Sequence, residues 1–78
     1  MLVKVITPEK EIFNEKAKSV NLPTLSGYIT ILPNHTELVS VINKGKIKIE
    51  FESGLKTLMS EGGVVEVFKD EVNLLLTK

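Results

Sequence analysis

The chain has 78 residues, with ten lysines, no arginine, ten acidic residues, one histidine, no cysteine and a formal net charge of zero. That length fits one domain, 1–78, and a domain of this size buries only about 60% of the surface its unfolded chain would expose. The absence of cysteine excludes a disulfide scaffold and a thiolate metal centre, and the charge balance removes the basic footprint of non-specific nucleic-acid binding.

The N-terminus, Met1-Leu2-Val3-Lys4-Val5-Ile6, reads as a strand from its first residues. It has neither a basic stretch ahead of a long apolar core nor an Arg-rich amphipathic leader, so a protein made on the cytosolic side is expected. Thr7-Pro8 punctuates the strand, and Pro8 to Ala17 is a loop or hairpin around Ile12 and Phe13. Val20 and Leu22, then Ile29 and Ile31, recur at the two-residue period of a half-buried strand. Lys46-Ile47-Lys48-Ile49-Glu50-Phe51-Glu52 shows that period most clearly, with Ile47, Ile49 and Phe51 on one side and charges on the other. Leu55, Thr57 and Met59 continue it as an expected core-facing set, followed by Val65 and Val67 and by Val72 and Leu74. Turn residues fall between the runs at Pro23, Ser26-Gly27, Pro33-Asn34, Asn43-Lys44-Gly45, Ser53-Gly54, Gly62-Gly63 and Lys69-Asp70. Short strands at even spacing, with no helical stripe in any 11-residue window, predict an all-β sandwich or barrel. With Val65, Val67, Leu74 and Leu76 inward, Val64, Phe68 and Leu75 face out, and Leu32 and Leu58 break their own alternation. Residual apolar surface of this kind suits a subunit interface.

Catalytic chemistry finds little to build on. A zinc site needs about four N, S or O ligands, and the chain offers His35 and no thiol. Leu32-Pro33-Asn34-His35-Thr36 reads as a turn, which makes His35 a structural histidine, and the Asp70-Glu71 and Glu9/Glu11 pairs read as solvated turn charges. Leu74-Leu75-Leu76 is the longest apolar run, far below the roughly 18 residues of a membrane helix. Lys44, Lys46 and Lys48 form a basic stripe near Phe51, as in an oligonucleotide-binding barrel, but Glu50 and Glu52 continue the same face. Glu15-Lys16-Ala17 is similar to the lysine turn of a lipoyl carrier, yet Lys16 comes too early and no internal symmetry follows. A free-standing β adaptor or lipoyl-like carrier module is the alternative kept beside the reading below.

Three segments together carry a more specific likeness. They are Ile6-Thr7-Pro8-Glu9-Lys10-Glu11-Ile12-Phe13, then Ser26-Gly27-Tyr28-Ile29-Thr30-Ile31-Leu32-Pro33-Asn34-His35-Thr36-Glu37-Leu38, and Ser60-Glu61-Gly62-Gly63-Val64-Val65-Glu66-Val67 with Val72-Asn73-Leu74-Leu75. In order and spacing these resemble the N-terminal β-sandwich domain of the F-type ATP synthase epsilon subunit (delta in mitochondria). The likeness covers essentially the whole chain. Asn34 and Thr30 stand where the family commonly has Gly, and Glu37 where it frequently has Pro; of these, Asn tolerates the positive φ a Gly turn needs. The family usually continues into a pair of helices, and here the sequence ends at Lys78, so a subunit without that regulatory arm is expected.

The resemblance implies a small sandwich of about ten short strands in a non-catalytic rotor-stalk subunit, with no cofactor. It would bind the gamma subunit and rest on the membrane ring of an ATP synthase, coupling proton flow to ATP synthesis. It would not self-associate or bind nucleic acid, and would sit at the cytoplasmic face of a bacterial inner membrane through its partners alone. By residue match, Ser26, Gly27 and Tyr28 would face the ring, and Thr7, His35 and Ser40 would lie toward gamma.

Overall fold

Each stretch of two-residue apolar alternation becomes a strand, and in the computed structural model, which describes residues 1–78, the chain passes through nine strands and no helix. They are β1 (Leu2–Ile6), β2 (Glu11–Lys16), β3 (Ser19–Thr24), β4 (Gly27–Ile31), β5 (Leu38–Ile42), β6 (Gly45–Phe51), β7 (Gly54–Ser60), β8 (Gly63–Phe68) and β9 (Glu71–Leu76). About ten were expected. Pro8 to Ala17 resolves into the hairpin alternative, because β2 folds back on β1 with Val5 opposite Phe13.

Hydrogen bonding joins the strands into one curled sheet, in the order β2-β1-β9-β8-β5-β3-β6-β7, with β4 paired to the free side of β3. All neighbours are antiparallel except β1 and β9. The link between β5 and β3 is a single residue pair, Thr24 with Ile42. The sheet bends there into two layers, β2-β1-β9-β8-β5 and β4-β3-β6-β7. Asn43 holds this corner by donating its backbone N–H to Pro23 O (2.9 Å) and its side-chain Nδ2 to Thr24 O (3.1 Å). Strands that turn from one layer to the other in this way make the corners of sandwiches. On the far side the layers meet through Phe13 of β2 and Phe51 of β6, whose ring centroids are 6.0 Å apart, with Lys56 Nζ 5.4 Å from the Phe13 ring.

The core lies between the layers. Val3, Val5, Ile42, Val65, Val67, Val72, Leu74 and Leu76 enter from one, and Val20, Leu22, Ile31, Ile47, Ile49 and Phe51 from the other. Removing each such side chain from water stabilises the fold by about 1.5–3 kcal/mol before entropy is counted. Two buried hydroxyls are satisfied locally. Ser60 Oγ accepts the Gly62 N–H (2.8 Å), and Thr24 Oγ1 donates to Gly27 O (2.8 Å) while accepting from Ser26 N (3.1 Å). No buried side-chain polar atom lacks a partner.

One strand faces the opposite way from its sequence reading. The β6–β7 ladder sets Gly45 opposite Ser60, Ile47 opposite Leu58 and Phe51 opposite Gly54. Cross-strand partners share a face, so Leu58 and Ser60 turn inward with Ile47, while Leu55, Thr57 and Met59 turn out beside Glu50, Lys48 and Lys46. Leu55 is 63% exposed and Met59 62%. Leu58, out of step with the Leu55-Thr57-Met59 alternation, packs against the core.

Candidate functional site

The outer face of the five-stranded layer is built from the alternate residues of β1, β9, β8 and β5 that the core does not use. The registers place Ile6 beside Leu75, Leu75 beside Val64, and Val64 beside Val41, so one apolar row crosses four strands. The next row runs Lys4, Asn73, Glu66, Val39, and the third brings Leu2, Glu71 and Phe68 together. Val39 is 71% exposed and Phe68 51%, while Val41, Val64 and Leu75 are also open to solvent. Val64, Phe68 and Leu75 thus face outward, as their alternation implied. Val39 and Val41 join them from β5, whose sequence Leu38-Val39-Ser40-Val41-Ile42 is apolar on both sides. A sheet that presents an unbroken apolar row with aliphatic and aromatic neighbours, edged by charged residues, matches the apolar core and polar rim of a protein interface.

The strand ends form two rims. One holds the β1–β2 turn, the β3–β4 hairpin tip, the β5–β6 turn, the β7–β8 turn and Thr77. At this rim Leu25 is 72% exposed at the tip, beside Ser26. Gly27 has φ 98°, a region that an L side chain rarely enters, and the Thr24 hydroxyl closes the tip from below. The Tyr28 hydroxyl accepts the Lys46 N–H at 3.2 Å. Its ring leans on β6 at Gly45, where a Cβ would lie 2.8 Å from Tyr28 Oη and 3.0 Å from Pro23 Cγ, so a larger residue there would push the Tyr28 ring aside. Ser26, Gly27 and Tyr28 are therefore together, at a rim, with Leu25 as an apolar neighbour that the turn composition concealed.

The other rim holds Met1, the β2–β3 connection, residues 32–37, the β6–β7 turn and the β8–β9 turn. Asn34 has φ 65°, the positive value anticipated for a Gly-substituting Asn, and its N–H donates to Asp70 Oδ1 (2.9 Å). Asp70 Oδ2 also lies 3.6 Å from the Met1 amino group. His35 donates its N–H to Leu32 O (3.2 Å), and its Nδ1 is 2.7 Å from Thr36 O. A carbonyl only accepts, so Nδ1 is the donor in this contact. Asp70 and Glu71 are engaged as structural partners, Glu71 by Lys4 at 3.3 Å. No group of three or more His, Asp or Glu side chains is placed to hold a metal ion.

Thr7, His35 and Ser40 are not neighbours. Thr7 sits in the β1–β2 turn, where its Oγ1 donates to Lys10 O and accepts from Lys10 N. His35 lies at the opposite rim. Ser40 is in β5 opposite Val65, on the side away from Val39 and Val41. The outer face just described stretches between the two rims that hold Thr7 and His35. Lys16 is the last ladder residue of β2, paired with Leu2, and not the tip of a hairpin between matched halves. Of the basic stripe, Lys44 pairs with Glu61 at 3.8 Å, and Lys46 and Lys48 flank Met59 and Thr57.

The fold recurs in solved complexes. A chain of the Tetrahymena thermophila mitochondrial ATP synthase central stalk and c-ring superposes with a TM-score of 0.89 at 24% identity, covering 100% of this chain and 63% of that one. A chain of the Euglena gracilis mitochondrial ATP synthase OSCP/F1/c-ring assembly does so at 0.93 with 17% identity, covering 100% and 51%. In sequence, the chain is 42% identical over 74 residues to the ATP synthase epsilon chain of the Cyanophora paradoxa cyanelle, covering 95% of this chain and 56% of that protein. It is 36% identical over 73 residues to the Endomicrobium trichonymphae ATP synthase epsilon chain, covering 94% and 53%. The chain therefore spans about half the length of the curated relatives it matches. Residues 1–78 match throughout the family described as the ATP synthase delta/epsilon chain β-sandwich domain, and the chain belongs to that family.

Proposed function

We propose that residues 1–78 act as one domain of a non-catalytic central-stalk subunit of an F-type ATP synthase. The domain binds the gamma subunit and rests on the membrane ring, so that proton flow through the ring turns the stalk and drives ATP synthesis elsewhere in the complex. It contributes shape and buried contacts and needs no cofactor. It works at the cytoplasmic face of a bacterial inner membrane, held there through its partners and not by self-association.

The observation that carries this reading is the apolar row Ile6–Leu75–Val64–Val41, flanked by Val39 and Phe68, on a sheet whose other side is the core. Torque must pass through a surface that does not yield, and side chains anchored in a four-strand ladder meet that need better than a loop does. Gamma lies along this outer face, with Thr7 and His35 at its two ends, and reaches around β5, the last strand of this layer, to Ser40 on that strand's other side. The rim at Ser26, Gly27 and Tyr28, with Leu25, meets the ring.

Co-purification of the tagged chain with a gamma-containing catalytic head tests the first contact, and its absence refutes the rotor reading. A disulfide between a cysteine at position 35 and one on gamma is expected to form in the assembled enzyme. Tyr28→Glu is expected to lower ATP-driven proton pumping by the assembled enzyme, and unchanged pumping removes the ring assignment.

A further inference from the structure

The outer face contains a groove of about 440 Å³ between β5 and β8, walled by Val39 and Phe68 and edged by Glu37, Glu66 and Asn73. Its charges are unevenly matched. Lys4 is 3.3 Å from Glu71, and Lys69 Nζ lies 5.4 Å from the centre of the Phe68 ring, turned to the aromatic face. Glu37 and Glu66 belong to none of the ion pairs, which join Asp70, Glu71, Glu52 and Glu61 to their cations. Glu66 is half-buried, directly across from Val39 on one side and Asn73 on the other.

An apolar partner laid over this groove would strand a carboxylate without water or counter-ion, a costly outcome. A partner side chain that brings a cation to Glu66 and Glu37, with its methylene stem on Val39 and Phe68, removes that cost and uses the walls. We propose that the groove is the seat of one long cationic side chain, Lys or Arg, projecting from an otherwise apolar element of the docked partner. The proposal rests on the docking reading above and names the chemistry of its anchor. A second copy of this chain is a poor occupant. The face carries Lys4 and Lys69 against Glu37, Glu66 and Glu71, two positive charges to three negative, and a twin doubles the excess.

The test measures binding of the chain to a gamma-containing catalytic head stripped of its own epsilon subunit, at low and at moderate salt. The parent, Glu66→Gln and the Glu37→Gln/Glu66→Gln double variant are compared, with melting curves confirming that each is folded. The double variant is expected to bind about tenfold or more weaker at low salt, with a flatter salt dependence, as loss of a partly desolvated charge pair requires. Reversal of one gamma Lys or Arg to Glu is expected to weaken the parent, with Glu66→Lys restoring affinity. Equal binding by the parent and the folded double variant overturns the cationic anchor and leaves the docking reading in place. Failure of the parent to bind overturns both, and self-association of the chain through this face, seen by sedimentation, overturns the choice of occupant.

Discussion

Gly63 opens β8 opposite Leu76 on one side and Ile42 on the other, so both neighbouring strands press on it. A Cβ placed there would fall inside hard contact with the Leu75 carbonyl oxygen and 3.0 Å from Leu76 Cα. These are backbone atoms of a laddered strand, which cannot swing aside as a side-chain tip would. Beyond them Thr77 clamps the end of β9, donating its N–H (3.0 Å) and hydroxyl (3.1 Å) to Gly62 O. Overpacking of a tight site costs about 1–3 kcal/mol, and two immovable neighbours put Gly63→Ala near the upper figure. A chain of this size has about 4–12 kcal/mol of stability in all. A loss of about 3 kcal/mol corresponds to a fall in Tm of about 12–24 °C in so small a domain. Thermal melting followed by circular dichroism, with urea titration for the free energy, measures it, and Leu55→Ala, at an exposed site, serves as the neutral control. Gly63→Ala melting within about 3 °C of the parent would show that β9 yields freely, and would refute the close packing of β8 on β9.

Further variants probe other parts of the fold. Lys69 (φ 48°) and Asp70 (φ 59°) make a two-residue turn in the left-handed region. Lys69→Asn is expected to stabilise the domain by about 0.5 kcal/mol, since relief of backbone strain exceeds the exposed cation–π contact with Phe68. Asp70→Ala removes the acceptor of the Asn34 N–H and the ion partner of the Met1 amino group, and is expected to cost about 1 kcal/mol by urea denaturation. Ile47→Ala hollows the centre of the core and is expected to cost about 2–5 kcal/mol. The pair Phe68→Ser and Val64→Ser is expected to cost about 1–2 kcal/mol, less than Ile47→Ala, and to leave the domain folded while weakening attachment to the gamma-containing head.

How much of this was legible depended on whether each strand had a wet face and a dry one. In β6 the lysines and glutamates are hydrated and Ile47, Ile49 and Phe51 are not, so the alternation shows plainly in the sequence. In β7, Leu55, Met59 and Leu58 are equally apolar, and only the pairing of Gly45 with Ser60 decides which of them turns in. That pairing is a property of two strands together and leaves no mark on one. β5 carries Leu, Val, Val and Ile on both faces, so it lacks a periodic signal for the reason that makes it useful: one side belongs to the core and the other to the exposed face. The Asn34 turn was readable because φ 65° strongly restricts the residue type there. The groove was not, because Glu66 becomes notable only once Val39 and Asn73 are known to flank it.

The central claim, that the outer face of β1, β9, β8 and β5 is the surface covered in the assembled stalk, admits a direct measurement in a chain that contains no cysteine. Single cysteines at Val39, Val64, Leu55 and Met59 each report on one spot through their rate of maleimide labelling, in the free chain and in the chain bound to a gamma-containing head. Binding is expected to slow labelling at positions 39 and 64 to near background, and to leave positions 55 and 59, on the opposite layer, at their free rates. Unchanged labelling at 39 and 64 in a stoichiometric complex, or protection confined to 55 and 59, would contradict the claim.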